Sequence, residues 1–438
     1  MITAQVFRGK RYAVLGLARS GVATVEALLA SGAHVTAWDS REEAREALAD
    51  RAQSLSHGLD NVTLHFADPL EIDLAGFDGV VVSPGVPLNK HPIAAHAASF
   101  GVPVIGDIEL FAQARADLPT HKVVGITGTN GKSTTTALIK HIIETAGIPT
   151  LMGGNIGLPI MGRDPLETGG VYVLELSSYQ IDLTFSLDCE VAVLTNITPD
   201  HLDRYDGFQG YADSKERLFE MQSNRHATII AIEDQPSRAI AARHRRSRTV
   251  KSTDAWGQEN WPALQGPHNA QNAVIAIAVA EELGIPEGAI DRGLRTYPGL
   301  PHRMERIAEK AGILFVNDSK ATNATATAPA LAAYPKVHWI LGGLPKTDDL
   351  DDCAPFFDHV VAAYTIGQAG PMHARILKEA GKPVIESGTL DQAVKDAAAA
   401  AKAGDVVMLS PACASFDQFS DYEARGDAFR RVVEGLSL

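Results

Sequence analysis

A glycine-rich segment about a third of the way along the chain carries the residue types that bind phosphate. Residues 125–134 (GITGTNGKST) follow the apolar run 123–126 and precede a helical run over 135–145. In such a loop, backbone N–H groups close around phosphate oxygens, a lysine reaches the β- and γ-phosphates, and a hydroxyl can ligate Mg²⁺. The strict GxxxxGK[ST] spacing is not met, because position 126 is isoleucine. The segment still predicts a nucleotide site at Lys132 and Ser133, the alternative being a glycine-rich surface turn.

Acidic and polar residues end the two strands predicted next. Glu175 closes the apolar run 171–175, and the run 191–195 leads into a polar stretch that contains His201. Ligands of open α/β sheets bind at the carboxyl ends of the strands. A strand-terminal acid is often only solvated or a helix cap, but beside a phosphate loop Glu175 is the preferred Mg²⁺ ligand.

The N-terminal part of the chain offers a second candidate ligand loop. Residues 16–21 (GLARSG) lie between a predicted strand and a predicted helix, and Asp39 ends the following strand. This pattern is a dinucleotide-binding fingerprint whose middle glycine, the one that lets backbone approach a pyrophosphate, is replaced by Ala18. An NAD site and a differently held diphosphate, with Arg19 and Arg41 nearby, both remain open.

The predicted strands and helices that carry these residues follow one pattern along the chain. Apolar β-rich runs alternate with alanine-rich helical runs from end to end, which predicts parallel sheets covered by crossover helices and so an α/β fold class. At 438 residues the chain has room for about three domains. Polar or proline-rich stretches at 113–122 and 293–302 mark the boundaries. We therefore predict a Rossmann-like domain over 1–112, a central P-loop ATPase-like domain over 113–300 and a Rossmann-like α/β domain over 301–438.

The composition is that of an ordinary globular protein and narrows the possible partners. There are 39 Lys and Arg against 53 Asp and Glu, and the formal net charge of -14 disfavours bulk binding to nucleic acid or anionic lipid. The basic cluster at 243–248 is therefore predicted to be a solvated helix end. Cys189, Cys353 and Cys413 are too few and too far apart for a disulfide framework, so we predict buried thiols in a reducing compartment. With no apolar run long enough to cross a membrane, the predicted location is the cytoplasm.

Taken together, these motifs resemble the Mur ligases, ATP-dependent amide-forming enzymes of peptidoglycan precursor synthesis and so of cell wall biogenesis, cell shape and cell division. The resemblance runs in order along nearly the whole chain. It rests on residues 128–134, 153–158, 175–180, 196–205, 268–272, 301–303, 317–323 and 410–415. Three segments are most similar to the family member that adds D-glutamate: residues 410–415, the turn at 83–85 and the GDIELF segment at 106–111.

The resemblance implies a reaction in which ATP phosphorylates the terminal carboxylate of UDP-N-acetylmuramoyl-L-alanine. The amine of D-glutamate then attacks the acyl phosphate and phosphate is released. Lys132, His201 and Lys215 are the implied catalytic residues, with Lys215 carbamylated, although from its surroundings in sequence Lys215 would be an exposed helix lysine. The implied Mg²⁺ ligands are Ser133, Glu175, His201 and Lys215. The implied ATP contacts are Gly128, Thr129, Asn130, Gly131, Lys132, Ser133, Thr134, Asn269, Asn272, Arg303 and Asp318.

The same resemblance implies contacts to the other two substrates. Those to the UDP-substrate are Ser20, Asp39, Ser40, Arg41, Gly85 and Asn155, and those to D-glutamate are Thr322, Lys346, Ser415, Phe416 and Tyr422. The role of Arg19 stays open, a phosphate contact being one hypothesis. The expected partners are these three substrates, with neither nucleic acid nor a membrane among them. The expected oligomeric state is a monomer. Two alternatives are a folylpolyglutamate-type or other Mur ligase and a nucleotide-gated binding module.

Overall fold

The structure is a computed structural model that describes residues 1–55, 63–200 and 203–437. By packing, the chain divides into two compact units. The first comprises Met1–Lys251 and Val274–Gly293, and the second comprises Ser252–Ala273 and Leu294–Leu438. Among the described residues the strands form three sheets, two in the first unit and one in the second.

The first sheet has five parallel strands in the order β3-β2-β1-β4-β5. Its elements are β1 (Arg11–Leu15), α1 (Arg19–Ala30), β2 (His34–Trp38), α2 (Glu42–Leu55), β3 (Leu64–Phe66), β4 (Gly79–Val82), α3 (Ile93–Ser99), β5 (Val104–Ile105) and α4 (Asp107–Ala114). All four residues of β4 are buried, as expected for a parallel sheet covered on both faces. The strand order reverses between β1 and β4, which places the loops after these two strands at the edge where such sheets bind ligands.

The second sheet has six parallel strands in the order β11-β10-β9-β6-β8-β7. Its elements are β6 (His121–Thr127), α5 (Lys132–Thr145), β7 (Thr150–Gly154), β8 (Gly170–Glu175), α6 (Ser178–Asp182), β9 (Val191–Leu194), α7 (Gly207–Glu220), β10 (Ala227–Ala231), α8 (Gln235–Arg243) and β11 (Arg248–Val250). Two more helices follow, α9 (Pro267–Glu282) and α10 (Glu287–Thr296). Because β6 lies between β8 and β9, the loops after these three strands meet at one edge. The helix α8 ends inside the basic cluster, as predicted.

The third sheet has six strands in the order β12-β13-β17-β14-β15-β16. Its elements are β12 (Glu305–Lys310), β13 (Ile313–Asn317), α11 (Ala324–Ala332), β14 (Val337–Gly342), β15 (Val360–Ile366), α12 (Gly370–Glu379), β16 (Val384–Gly388), α13 (Leu390–Ala400), β17 (Val406–Leu409) and α14 (Tyr422–Glu434). The edge strand β12 pairs antiparallel to β13, whereas the other pairs are parallel. The expectation of parallel strands is therefore wrong at this edge, because only two residues connect β12 to β13 and a parallel pair needs a longer crossover.

The predicted linker at 113–122 is structured. It contains the end of α4 and the start of β6, and Arg115 between them donates to the carboxylate of Glu190 at 2.9 Å. A single core continues from the first sheet into the second, with Tyr12 and Tyr172 both buried in it. The first two sheets thus belong to one packed unit. The predicted α/β architecture, in which each of three domains is built on its own sheet, is confirmed.

Two smaller expectations can be compared with the structure. All three cysteines are buried free thiols, as predicted. None of the helices in the described ranges combines the length and the apolar character that a membrane span requires.

Candidate active site

The glycine-rich loop links β6 to α5 in a conformation that glycine makes possible. Gly128 has φ of 140°, and a Cβ atom there would lie 2.0 Å from Oγ1 of Thr195. Gly131, with φ of 81°, precedes the first residue of α5, Lys132. The loop therefore approaches the neighbouring strand more closely than a side chain would allow, and the amino end of a 14-residue helix opens beside it.

A second loop, which follows β9, clamps the glycine-rich loop. The carbonyl oxygen of Asn196 accepts from Thr129 N at 2.8 Å, and its side-chain oxygen accepts from Asn130 N at 2.8 Å. Thr195 returns a hydrogen bond to Asn130 O at 2.7 Å. The roles of Thr195 and Asn196 were missed in the sequence, where the only signal was polar residues at the end of a strand. Thr134 is the third residue of α5 and partly buried.

Two lysines from distant parts of the chain share one backbone acceptor. Lys132 Nζ donates to Gly128 O at 3.0 Å and to Thr129 O at 2.8 Å, and Lys215 Nζ donates to the same Gly128 O at 2.8 Å. Lys215 is only 1% exposed, and its amine lies 4.4 Å from the ring centre of Tyr211. The expectation of an exposed helix lysine is therefore wrong, because α7 packs this face against the glycine-rich loop. Burial, together with the nearby charge of Lys132, holds the pKa of Lys215 well below its ordinary value.

Glu175 ends β8 with one carboxylate oxygen free of hydrogen bonds. The side chain is 2% exposed, its Oε1 accepts from Asn155 Nδ2 at 2.8 Å, and its buried Oε2 has no partner among the described residues. Gly154 permits this approach, since a Cβ atom there would lie 2.1 Å from Glu175 O. An orphaned buried carboxylate oxygen is costly without a cation or a donor, so this position fits a metal ligand.

The structure describes three of the four predicted Mg²⁺ ligands. Ser133 is buried in the first turn of α5, next to Lys132, and His201 lies outside the described residues. Within the described part of the chain, no three His, Cys, Asp or Glu side chains converge as a ready metal site. Among the described residues, Glu175 and Ser133 are the predicted ligands whose unmodified oxygen atoms suit a divalent cation.

A cavity of about 290 Å³ opens between the first two sheets. It brings together three of the predicted UDP-substrate contacts from both walls, which are Ser20, Gly85 and Asn155. Arg19, Ser83 and Gln180 also line it. Arg19 therefore lies in the same cavity as three predicted UDP-substrate contacts, and its contact with phosphate stays a hypothesis.

The other three predicted UDP-substrate contacts lie at the end of β2. Asp39 accepts from Leu17 N at 2.8 Å and from Arg41 N at 3.0 Å, and the Arg41 guanidinium contacts the same carboxylate. Hydrogen bonding to Arg41 lowers the pKa of Asp39 to about 2. Ser40 between them is exposed. Asp39 is thereby held as an anion that fixes the loop after β1.

Behind the loop after β1, the carboxyl group of Asp107 is buried beside Ser20 and Thr24. Burial raises its pKa to about 6. Because the folded protein binds this proton more tightly than the unfolded chain, stability is lost as the pH rises from about 4 to about 6. We expect Asp107→Asn to increase the free energy of unfolding at pH 8 by up to about 3 kcal/mol and to have little effect at pH 4. Urea unfolding at the two pH values measures this, and Asp50→Asn at an exposed position of α2 serves as the matched control.

The second unit holds the remaining predicted nucleotide contacts. Asn272 Nδ2 donates to Asn269 Oδ1 at 3.1 Å in the buried start of α9. Asp318 follows β13 and accepts from Met304 N at 3.1 Å and from Ser410 Oγ at 2.8 Å. Burial raises the pKa of Asp318 to about 7, and the charge of Arg303 opposes the rise. Arg303 and Asp318 are thus close enough to interact electrostatically, and their contact with ATP stays a prediction.

The predicted D-glutamate contacts lie at the carboxyl edge of the third sheet. Lys346 Nζ donates to Thr322 Oγ1 at 3.1 Å. Leu344 and Ala414 pair through their backbones, which brings the loop with Lys346 beside buried Ser415 and Phe416, which is 68% exposed.

Tyr422 is the first residue of α14. The amine of Lys320 lies over its ring, 3.8 Å from the ring centre of Tyr422. The cap of α14 is Asp421, which accepts from Ala424 N.

Family models match three successive parts of the chain. They are "Mur ligase MurD-like, N-terminal domain" over residues 10–106, "Mur ligase middle domain" over 126–261 and "Mur ligase, glutamate ligase domain" over 302–413. The predicted boundaries at 112 and 300 stay predictions.

Whole-length relatives are similar at high identity. UDP-N-acetylmuramoylalanine--D-glutamate ligase of Novosphingobium aromaticivorans is 63% identical, over 100% of this chain and 97% of the relative. The enzymes of the same name from Zymomonas mobilis subsp. mobilis and Sphingopyxis alaskensis are 61% and 62% identical, over the full length of both chains.

Solved structures are similar in fold. UDP-N-acetylmuramate-alanine ligase MurC of Thermotoga maritima has a TM-score of 0.56 at 16% identity, covering 97% of this chain and 99% of its own. MurF of Acinetobacter baumannii has a TM-score of 0.56 at 17% identity, covering 98% and 92%.

Proposed function

The chain belongs to the Mur ligase family, and from this premise we propose that it is an ATP-dependent ligase that joins D-glutamate to UDP-N-acetylmuramoyl-L-alanine. The observation that carries the proposal is the whole-length identity of 61–63% to enzymes named for that reaction. The product would be a peptidoglycan precursor. The enzyme would act in the cytoplasm as a monomer, without nucleic acid or membrane.

The first chemical step would be transfer of the γ-phosphoryl group of ATP to the carboxylate of UDP-N-acetylmuramoyl-L-alanine. Two anions must meet, so catalysis depends on compensating their charge and holding them in line. Lys132, which now rests on the carbonyls of Gly128 and Thr129, would turn to the phosphate oxygens. The backbone N–H groups at the start of α5 would complete the phosphate site.

The orphaned Oε2 of Glu175 supports a Mg²⁺ site. Ser133, Glu175, His201 and a carbamylated Lys215 would hold the ion, which supplies charge compensation and orientation for the phosphates. The depressed pKa of Lys215 supports carbamylation, because CO₂ reacts with a neutral amine and releases one proton as the N–C bond forms. The modification would replace a second cation beside Lys132 with an anion facing the metal.

The second step would be attack of the D-glutamate amine on the acyl phosphate, with phosphate as the leaving group. The amine must be neutral to attack, while the two carboxylates of D-glutamate need cationic or N–H partners. We assign the α-carboxylate to Lys346 and Thr322, which already contact each other. We assign the side-chain carboxylate to Ser415 with the neighbouring Phe416 and Tyr422.

Lys346→Ala should raise the KM for D-glutamate by roughly 10- to 100-fold, because it removes a charge-assisted contact worth about 1.5–3 kcal/mol. The KM for ATP should change less than about twofold. Steady-state kinetics with each substrate varied in turn measures the difference. The exposed lysine of α12, in Lys378→Ala, is the matched control. An equal effect on ATP, or use of L-glutamate as well as D-glutamate, would show that the pocket is assigned wrongly.

The proposed function is tested by release of ADP and phosphate with UDP-N-acetylmuramoyl-L-alanine and a panel of L- and D-amino acids. We expect release to depend on both substrates and on D-glutamate alone among the amino acids. Release without any amino acid would favour a nucleotide-gated module. Release with a different amino acid would favour another ligase of the superfamily.

A further inference from the structure

One buried carboxylate of the first domain is bonded entirely by the central domain and its own helix. Glu109, on α4, is 4% exposed. Its Oε2 accepts from Phe185 N at 2.7 Å and Ser186 N at 2.9 Å, and its Oε1 accepts from Ser186 Oγ at 2.8 Å and Gln113 Nε2 at 2.9 Å. The carboxylate thus accepts four hydrogen bonds, and all four donors are uncharged. A buried charge of this kind is strongly tied to the geometry of its donors.

The segment that Glu109 holds is docked at a second point as well. Leu183, two residues before Phe185, packs in the core of the first sheet with Leu15 and Val82. Its carbonyl oxygen accepts from Gly106 N at 2.9 Å, just before α4 begins. Residues 183–186 of the central domain are therefore anchored to α4 and to the sheet behind it.

This anchored segment directly follows α6, whose residues face the substrate cavity and the helix of Lys215. Gln180 lines the cavity of about 290 Å³ and is 4% exposed, and its amide NH₂ makes no hydrogen bond within the described residues. Asp182 accepts from Tyr205 Oη at 2.9 Å and from Ser214 Oγ at 2.7 Å, next to Lys215. The position of α6 thus determines where the amide NH₂ of Gln180 lies in the cavity.

We propose that Glu109 is a positioning residue for the UDP-substrate: by holding residues 185–186 it fixes α6, and with it Gln180, at the correct distance from the loops of the first domain. This inference rests on the proposed function, because it takes the cavity to be the UDP-substrate site. Glu109 lies in the GDIELF segment, for which the proposed reaction gives no other task. The glycine-rich loop is held separately by Thr195 and Asn196, so we expect Glu109 to affect binding of the UDP-substrate much more than binding of ATP.

The test compares Glu109→Gln with wild type. The amide keeps the side-chain shape but places NH₂ or a weaker acceptor against the donors of residues 185–186. We expect the KM and the Kd for UDP-N-acetylmuramoyl-L-alanine to rise about tenfold, with the Kd measured by calorimetry without ATP. The KM for ATP should stay within about twofold, and kcat, per correctly folded enzyme, should change less than about threefold. Ser186→Ala, which removes one exposed donor, should move the same two constants by about threefold.

The exposed helix carboxylate of Glu144, in Glu144→Gln, is the matched control and should leave all constants unchanged. A folded Glu109→Gln enzyme with an unchanged KM for the UDP-substrate overturns the proposal, as does an equal rise in the KM for ATP. If Glu109→Gln does not fold, Ser186→Ala decides by the same two constants. Wild-type protein that binds no UDP-N-acetylmuramoyl-L-alanine would instead overturn the proposed function, and this inference with it.

Discussion

Lys132→Ala is expected to lower kcat by at least about 10³-fold, the scale on which a single cation facing the transferring phosphoryl group acts. The ammonium compensates the negative charge of the substrates and of the transition state. Among the described lysines, Lys215 also donates to the glycine-rich loop. The fold should survive, because Lys132 is only partly buried and its bonds to the carbonyls of Gly128 and Thr129 contribute about 1 kcal/mol each.

The measurement is single-turnover ADP formation together with urea unfolding of the same preparation. Lys140→Ala is the matched control, since Lys140 lies on the same helix and pairs with Glu144 on its surface. We expect that variant to keep wild-type kcat. A Lys132→Ala enzyme with near-normal kcat would exclude the phosphate role of this lysine.

Lys215→Arg is expected to lower kcat by about 10- to 100-fold, the loss typical of disturbing a metal environment. Arginine keeps a positive charge under all working conditions, so it cannot react with CO₂ and would stand as a second cation beside Lys132. In wild type, the buried amine bonds Gly128 O and has a pKa well below its ordinary value, which supplies the neutral form that carbamylation needs.

Carbamylation itself is measured by ¹³C NMR of wild-type protein in ¹³C-bicarbonate, where we expect a carbamate signal that Lys215→Arg lacks. Lys310→Arg is the matched control, because Lys310 also donates to backbone carbonyls but lies in the second unit. A bare ammonium at Lys215 in a crystal with nucleotide and substrate bound would contradict this prediction.

The local elements of this protein are predictable from its amino-acid sequence. The strand, glycine-rich loop and helix could be predicted because all three lie within residues 121–145. The place of Glu175 at the end of a strand could be predicted for the same reason, since an apolar run that ends in an acid marks a strand end. The α/β class followed from alternating periodicity, and the whole-chain resemblance supplied the reaction and most of the candidate residues.

Which of these elements contact one another depends on how the chain packs. Lys215 and Gly128 are 87 residues apart, and their contact depends on α7 packing beside the loop after β6, which no local pattern specifies. The same holds for Glu109 and Ser186, 77 residues apart, and for β12, whose antiparallel pairing was missed. Periodicity determines which face of an element is apolar, but burial and pKa depend on the neighbours that the sheet order brings to that face.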